Sequence, residues 1–166
     1  MKHKFKHAYM DTAKRFAELS HAQRLKVGSI IVKEDRIISI GYNGMPSGWD
    51  NECEDKVYAD ENLMKHMSPS EILAEWPLED AQGRYKLVTK AEVLHAEMNA
   101  VSKLTGSASE SSIGASLFVT HSCCINCAKA IYQSGITEVY YHTEYRSNDG
   151  IDFLKKCGIK VEKLDV

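Results

Sequence analysis

Residues 121–127, HSCCINC, hold three of the five cysteines in a chain of 166 residues. Cys124 and Cys127 stand three apart at the start of CINCAKAIYQSG, a stretch that reads as a helix closed by Gly135. At that spacing two side chains share a helical face, so their sulfurs can converge on one ion, and the unpaired N–H groups of a helix start favour thiolates. Alone, the pair reads equally as buried thiols or as a redox motif. A catalytic zinc site needs a third protein ligand and keeps one position for water. His95, which opens the helix HAEMNAVSKLTG 29 residues before Cys124, can supply that ligand. Glu97 completes the chemistry: a carboxylate beside a zinc-bound water can take its proton and pass it to a leaving nitrogen. Residues two apart point to roughly opposite sides of a regular helix, so periodicity alone does not aim both His95 and Glu97 at one ion.

The elements that must position these residues follow from pattern. Tyr9, Ala13, Phe16 and Ala17 fall at helical spacing and predict an amphipathic helix over about 5–20. VGSIIV (27–32) and RIISIGY (36–42), separated by Lys33, Glu34 and Asp35, read as an antiparallel hairpin. GYNGMPSGWDNECED breaks the pattern as a loop, and the polar, acidic stretch at about 56–90 reads as an insertion with helical segments near 58–67 and 70–76. ASLFVT and TEVYY are strands, DGIDFLKKCG a helix and IKVEKL the last strand. The C-terminal half therefore alternates helix and strand, the pattern of a parallel arrangement. Met98, Val101 and Leu104 are expected to pack the core.

Composition narrows the class. With 43% hydrophobic residues the chain suits one domain, residues 1–166, able to fold without covalent staples. An odd cysteine count and no secretory or membrane-spanning apolar run place it in a reducing cytoplasm, with no membrane partner. A net charge of -2 supplies no broad basic footprint for nucleic acid and favours a small-molecule substrate. Cys53, His66 and Cys157 lack the tight pairing of a second metal site and are expected as free thiols and a surface histidine.

His95-Ala96-Glu97 followed by Cys124-Ile125-Asn126-Cys127 resembles the zinc-dependent cytidine and deoxycytidylate deaminase superfamily. LKVGSIIVKEDRIISIGYNGMPSG, NECED and CAKAIYQSGI extend the likeness over most of the chain, toward the deoxycytidylate (dCMP) deaminases. The family usually has proline before its first zinc cysteine, where this chain has Cys123, itself a competing thiol. The resemblance implies a three-layer α/β fold with a central mixed five-stranded sheet and helices on both faces. It implies one Zn2+ held by His95, Cys124 and Cys127, and hydrolytic deamination of dCMP to dUMP, with Glu97 protonating N3 and then the departing amine. It also places Asn43 against sugar or base, the backbone of Ala96 and Ser122 at the base edge, Tyr145 near the nucleotide, and Arg24 near the phosphate, which its planar fork suits. Read singly, Asn43 is also a turn residue and Arg24 a solvated cation. Oligomerisation, commonly as hexamers, and control by dCTP and dTTP, with Mg2+ accompanying the regulatory nucleotide, belong to the same resemblance. Two rivals stand beside it: a same-fold deaminase acting on cytidine, deoxycytidine, dCTP or tRNA adenosine, and a zinc-stabilised binding module without catalysis.

Overall fold

The computed structural model describes residues 1–165. Helix α1 (His3–Ala17) buries Tyr9, Met10, Ala13 and Ala17, the i, i+4 stripe visible in its sequence. Strands β1 (Gly28–Lys33) and β2 (Arg36–Tyr42) form the expected antiparallel hairpin. Its turn residues Glu34 and Asp35 both have positive φ, at 50° and 58°, which gives the turn a twist matching the strands on either side.

The polar stretch departs from expectation. Besides the short helices α2 (Glu61–Met64) and α3 (Pro69–Glu75), it contains β3 (Glu54–Tyr58), β4 (Leu78–Asp80) and β5 (Gly83–Thr89). These strands make a separate antiparallel sheet, in the order β3-β5-β4. Asp60 and Ser68 cap the two short helices, the latter with a reciprocal Ser68–Glu71 capping box.

Helix α4 (Ala96–Thr105), β6 (Ser116–His121), α5 (Ile125–Gln133), β7 (Glu138–Thr143), α6 (Asp149–Lys156) and β8 (Lys160–Lys163) complete the chain. The main sheet runs β2-β1-β6-β7-β8, antiparallel through β6 and parallel from β6 to β8. Both faces are covered, which is why β1 and β6 are buried along almost their whole length and lack strict alternation. Ile31, Leu117, Val119 and Val139 pack one face against α4, α5 and α6 through Ala100, Ile131 and Leu154. Ile30, Val32, Phe118 and Tyr140 pack the other against Tyr9, Met10 and Ala13 of α1.

The packing of α4 corrects the sequence reading. Its buried residues are Ala96, Glu97, Ala100 and Leu104, Val101 packs partly at the core margin, and Met98 is 38% exposed. The small face is what β2 requires: a Cβ on Gly41 would stand 2.1 Å from the Ala96 carbonyl oxygen and 2.6 Å from the Ala100 nitrogen. Gly41→Ala is therefore expected to destabilise by about 1–3 kcal/mol through overpacking, seen as a lower urea midpoint. An unchanged midpoint would contradict this close approach.

Candidate functional site

His95 is the N-cap of α4, and its extended backbone (φ -73°, ψ 149°) lies outside the helical periodicity. That solves the aiming problem posed by its spacing from Glu97, which sits inside the first turn. Cys124 is likewise the N-cap of α5 (φ -72°, ψ 167°), with Cys127 in the first turn. The His95 Nδ1 atom lies 3.6 Å from Cys124 Sγ and 3.4 Å from Cys127 Sγ. An imidazole nitrogen and a thiolate on one tetrahedral zinc stand about 3.5 Å apart, given metal distances of about 2.0–2.1 and 2.3 Å. The three residues thus fit zinc in donor type and spacing, and are the one His/Cys/Asp/Glu group of this kind among the described residues.

Neighbouring contacts hold these helix starts in place. Leu94 and Gly44 exchange backbone hydrogen bonds of 2.9 and 3.2 Å, pinning the residue before His95 to the loop after β2. Ser122 N donates to Thr143 O at 2.8 Å, and Gly150 at the start of α6 lies against the ligand loop, where a Cβ would meet Cys123 O at 2.1 Å.

The electrostatics suit a cation. A hydrogen bond with Cys127, followed by one with His95, pulls the Cys124 thiol well below its ordinary value. The Cys124 sulfur, then burial, push Cys127 up, so the pair shares one negative charge. The contact with Cys124 raises His95. Glu97, only 5% exposed, has its carboxyl raised chiefly by desolvation, the condition for a carboxyl that exchanges protons near neutrality.

Beside these groups lies a cavity of about 320 Å³ lined by Arg24, Asn43, Ala96, Glu97, Ser122 and Tyr145, the full set of non-ligand residues singled out from sequence. Ala96 is the first residue of α4, so its N–H has no intrahelical acceptor. The Ser122 hydroxyl accepts from Tyr145 N at 2.7 Å and so fixes the tyrosine at the rim. Asn43 is a brace: its Oδ1 accepts from Val27 N and its Nδ2 donates to Leu25 O, both at 2.8 Å. Arg24 is exposed and donates through Nη1 to Thr89 Oγ1 at 3.0 Å. Sequence reasoning passed over Glu54, Thr89, His121 and Arg146 as wall residues. His121 and Glu54 stood inside stretches already singled out, HSCCINC and NECED, and Arg146 directly follows Tyr145, whereas no local signal marked Thr89.

The family model for the cytidine and deoxycytidylate deaminase zinc-binding region matches residues 3–143. The chain belongs to this family. It is 38% identical over 154 residues to the deoxycytidylate deaminase of Enterobacteria phage T4, covering 82% of this chain and 77% of that one. It is 30% identical over 143 residues to human deoxycytidylate deaminase, covering 85% and 66%. Its fold superposes with a TM-score of 0.76 and 41% identity on the dCMP deaminase of cyanophage S-TIM5, solved in complex with dCMP and dUMP, over 99% of each chain. The three-layer deaminase fold expected from the resemblance is thus the fold observed.

Cys123, which this deaminase has where proline was expected, lies outside the donor group formed by His95, Cys124 and Cys127. It is fully buried in the core beside Ile151 and Leu154, with its thiol pushed up to about 12 by burial. Cys53 packs with Ala22, Val93 and Met45, while His66 is exposed. Metal analysis is expected to find one zinc per chain, retained in Cys123→Ala and lost in Cys124→Ala and His95→Ala; loss in Cys123→Ala would reassign the ligands. Because metal must displace the proton held by Cys127, zinc affinity should strengthen as pH rises through neutrality, with proton release measurable by calorimetry in two buffers.

Proposed function

We propose that this deaminase converts dCMP and water to dUMP and ammonia in pyrimidine deoxynucleotide metabolism. The observation that carries the reading is a buried carboxyl, Glu97, facing a cavity that is also lined by His95 and Cys124 of the three-donor centre and by the cationic Arg24. The phage and human relatives named for this activity, and the cyanophage enzyme bound to dCMP and dUMP, support the choice of substrate.

His95, Cys124 and Cys127 would hold zinc, which when bound supplies a Lewis acid that makes water nucleophilic near neutral pH. The remaining steps belong to the chain. The Ala96 N–H and the Ser122 backbone meet the edge of the base and present C4 to the attacking water. Glu97 takes a proton from that water and delivers it to N3, then takes the proton of the hydroxyl now on C4 and delivers it to the amine, which leaves as ammonia and returns Glu97 to its starting carboxylate. Its burial keeps bulk solvent from competing for those protons and lifts its carboxyl toward the working pH. Arg24 offers a fork of N–H donors to the 5′-phosphate, Asn43 holds the Leu25–Val27 backbone that forms the sugar side of the cavity, and Tyr145 closes the rim.

All five cysteines are free thiols, in keeping with a reducing cytoplasmic setting. No helix among the described residues is long and apolar enough to cross a membrane. By the resemblance set out above, the reading extends to a homo-oligomer controlled by dCTP and dTTP, with Mg2+ accompanying the regulatory nucleotide.

Side-by-side assays of dCMP, cytidine, dCTP and an adenosine-bearing tRNA stem-loop should give the highest kcat/KM for dCMP; preference for another substrate would replace it. Glu97→Gln should retain zinc and lose about 10²–10⁴-fold in kcat, as expected on removing a general acid–base. Substantial activity in a zinc-loaded Gln variant would dismiss Glu97 from proton transfer.

A further inference from the structure

The small polar sheet meets the substrate cavity at one end only, and there it grips the residue assigned to the phosphate. Glu54 begins β3, Thr89 ends β5, and the two are direct partners across the ladder. Each takes hold of Arg24 in a different way. The buried Glu54 carboxylate accepts from Arg24 N at 3.2 Å and from Gln23 N at 3.1 Å. Thr89 Oγ1 accepts from the Arg24 guanidinium at 3.0 Å. Both residues also line the cavity.

We propose that Glu54 and Thr89 are positioning residues that hold Arg24 toward the 5′-phosphate, which makes the inserted sheet a determinant of specificity for nucleotides over nucleosides. The inference rests on the phosphate role given to Arg24 above. Arg24 lies on a segment between α1 and β1 that has neither helical nor ladder bonds of its own. Its backbone donors must therefore be met from outside, and they are met by a side chain of the second sheet. A long exposed arginine loses considerable rotamer freedom when it is fixed on a ligand. A hydroxyl that already restrains the guanidinium removes part of that loss before substrate arrives, which lowers KM without touching the reacting atoms. The Glu54 carboxylate fixes the backbone and Thr89 the head group, so both ends of the side chain are set by adjacent residues of one ladder. Packing of Cys53 with Ala22 and Val93, and the bond from Lys90 N to Cys53 O at 3.0 Å, keep this end of the sheet seated on the loop.

The test compares dCMP with deoxycytidine, which lacks the phosphate, using the zinc-loaded full chain. Thr89→Val should raise KM for dCMP roughly fivefold, the value of one hydrogen bond, while leaving kcat and the kcat/KM for deoxycytidine within about twofold. Thr89→Ser should restore the wild-type KM. Glu54→Gln, which keeps one acceptor for the loop, should raise KM for dCMP in the same selective way. Arg24→Ala serves as the reference and should raise KM for dCMP on the order of a hundredfold, as expected when charge-assisted bonds are lost. If Arg24→Ala is selective for dCMP but Thr89→Val and Glu54→Gln are silent, or impair both substrates equally, the positioning role is overturned while the phosphate role stands. If Arg24→Ala itself impairs both substrates equally, the phosphate role fails, and the inference with it.

Discussion

Two helices begin at the same point in space, and the first residues of both compose the site. An N-cap residue keeps an extended backbone, so His95 and Cys124 can turn their side chains across the helix ends while Glu97 and Cys127 follow from the first turns. The exposed N–H groups and the positive ends of both helix dipoles surround the place where thiolates and a carboxylate are needed. That convergence depends on the sheet: α4 must approach β2 closely enough for Gly41 to be the only residue type that fits, and α6 must rest on the ligand loop at Gly150.

Glu97 shows what such a site costs. A carboxyl buried to this degree loses water that it would otherwise bind, and its raised proton affinity measures that loss. Fold stability would be served better by a residue of lower polarity at this position. The same desolvation makes the group useful as a proton carrier, so one physical effect weakens the fold and drives the chemistry.

The three metal donors and Glu97 stood out in the sequence because they cluster in two short stretches at helix starts, whereas their shared aim, and the roles of Arg24, Asn43 and Tyr145, came from the family resemblance and not from periodicity. The main sheet was legible because the runs around Ile31, Phe118 and Tyr140 are long, apolar and bounded by turn residues. The second sheet was not. EDKVY and GRYKLVT carry charged residues among their apolar ones, bury little, and pair with each other across a separation of about thirty residues, so the short alternation of Arg84 to Leu87 and the turn at Asp80–Gly83 did not outweigh the polar, acidic composition of the stretch. Met98 misled because helical spacing identifies a stripe of residues and not the side on which a tight neighbour will sit; the face that packs on β2 is built from alanines. The ladder partnership of Glu54 and Thr89 is likewise a property of tertiary pairing that no local pattern could reveal.

Since the polar sheet engages the rest of the molecule at the Glu54–Thr89 end, its opposite tip, the hairpin around Asp80–Gly83, is under little obligation to the reaction. Drift in length and sequence there can accumulate with catalysis undisturbed. The ladder thus acts as a beam fixed at one end, whose outer half can change without shifting the residues that hold Arg24.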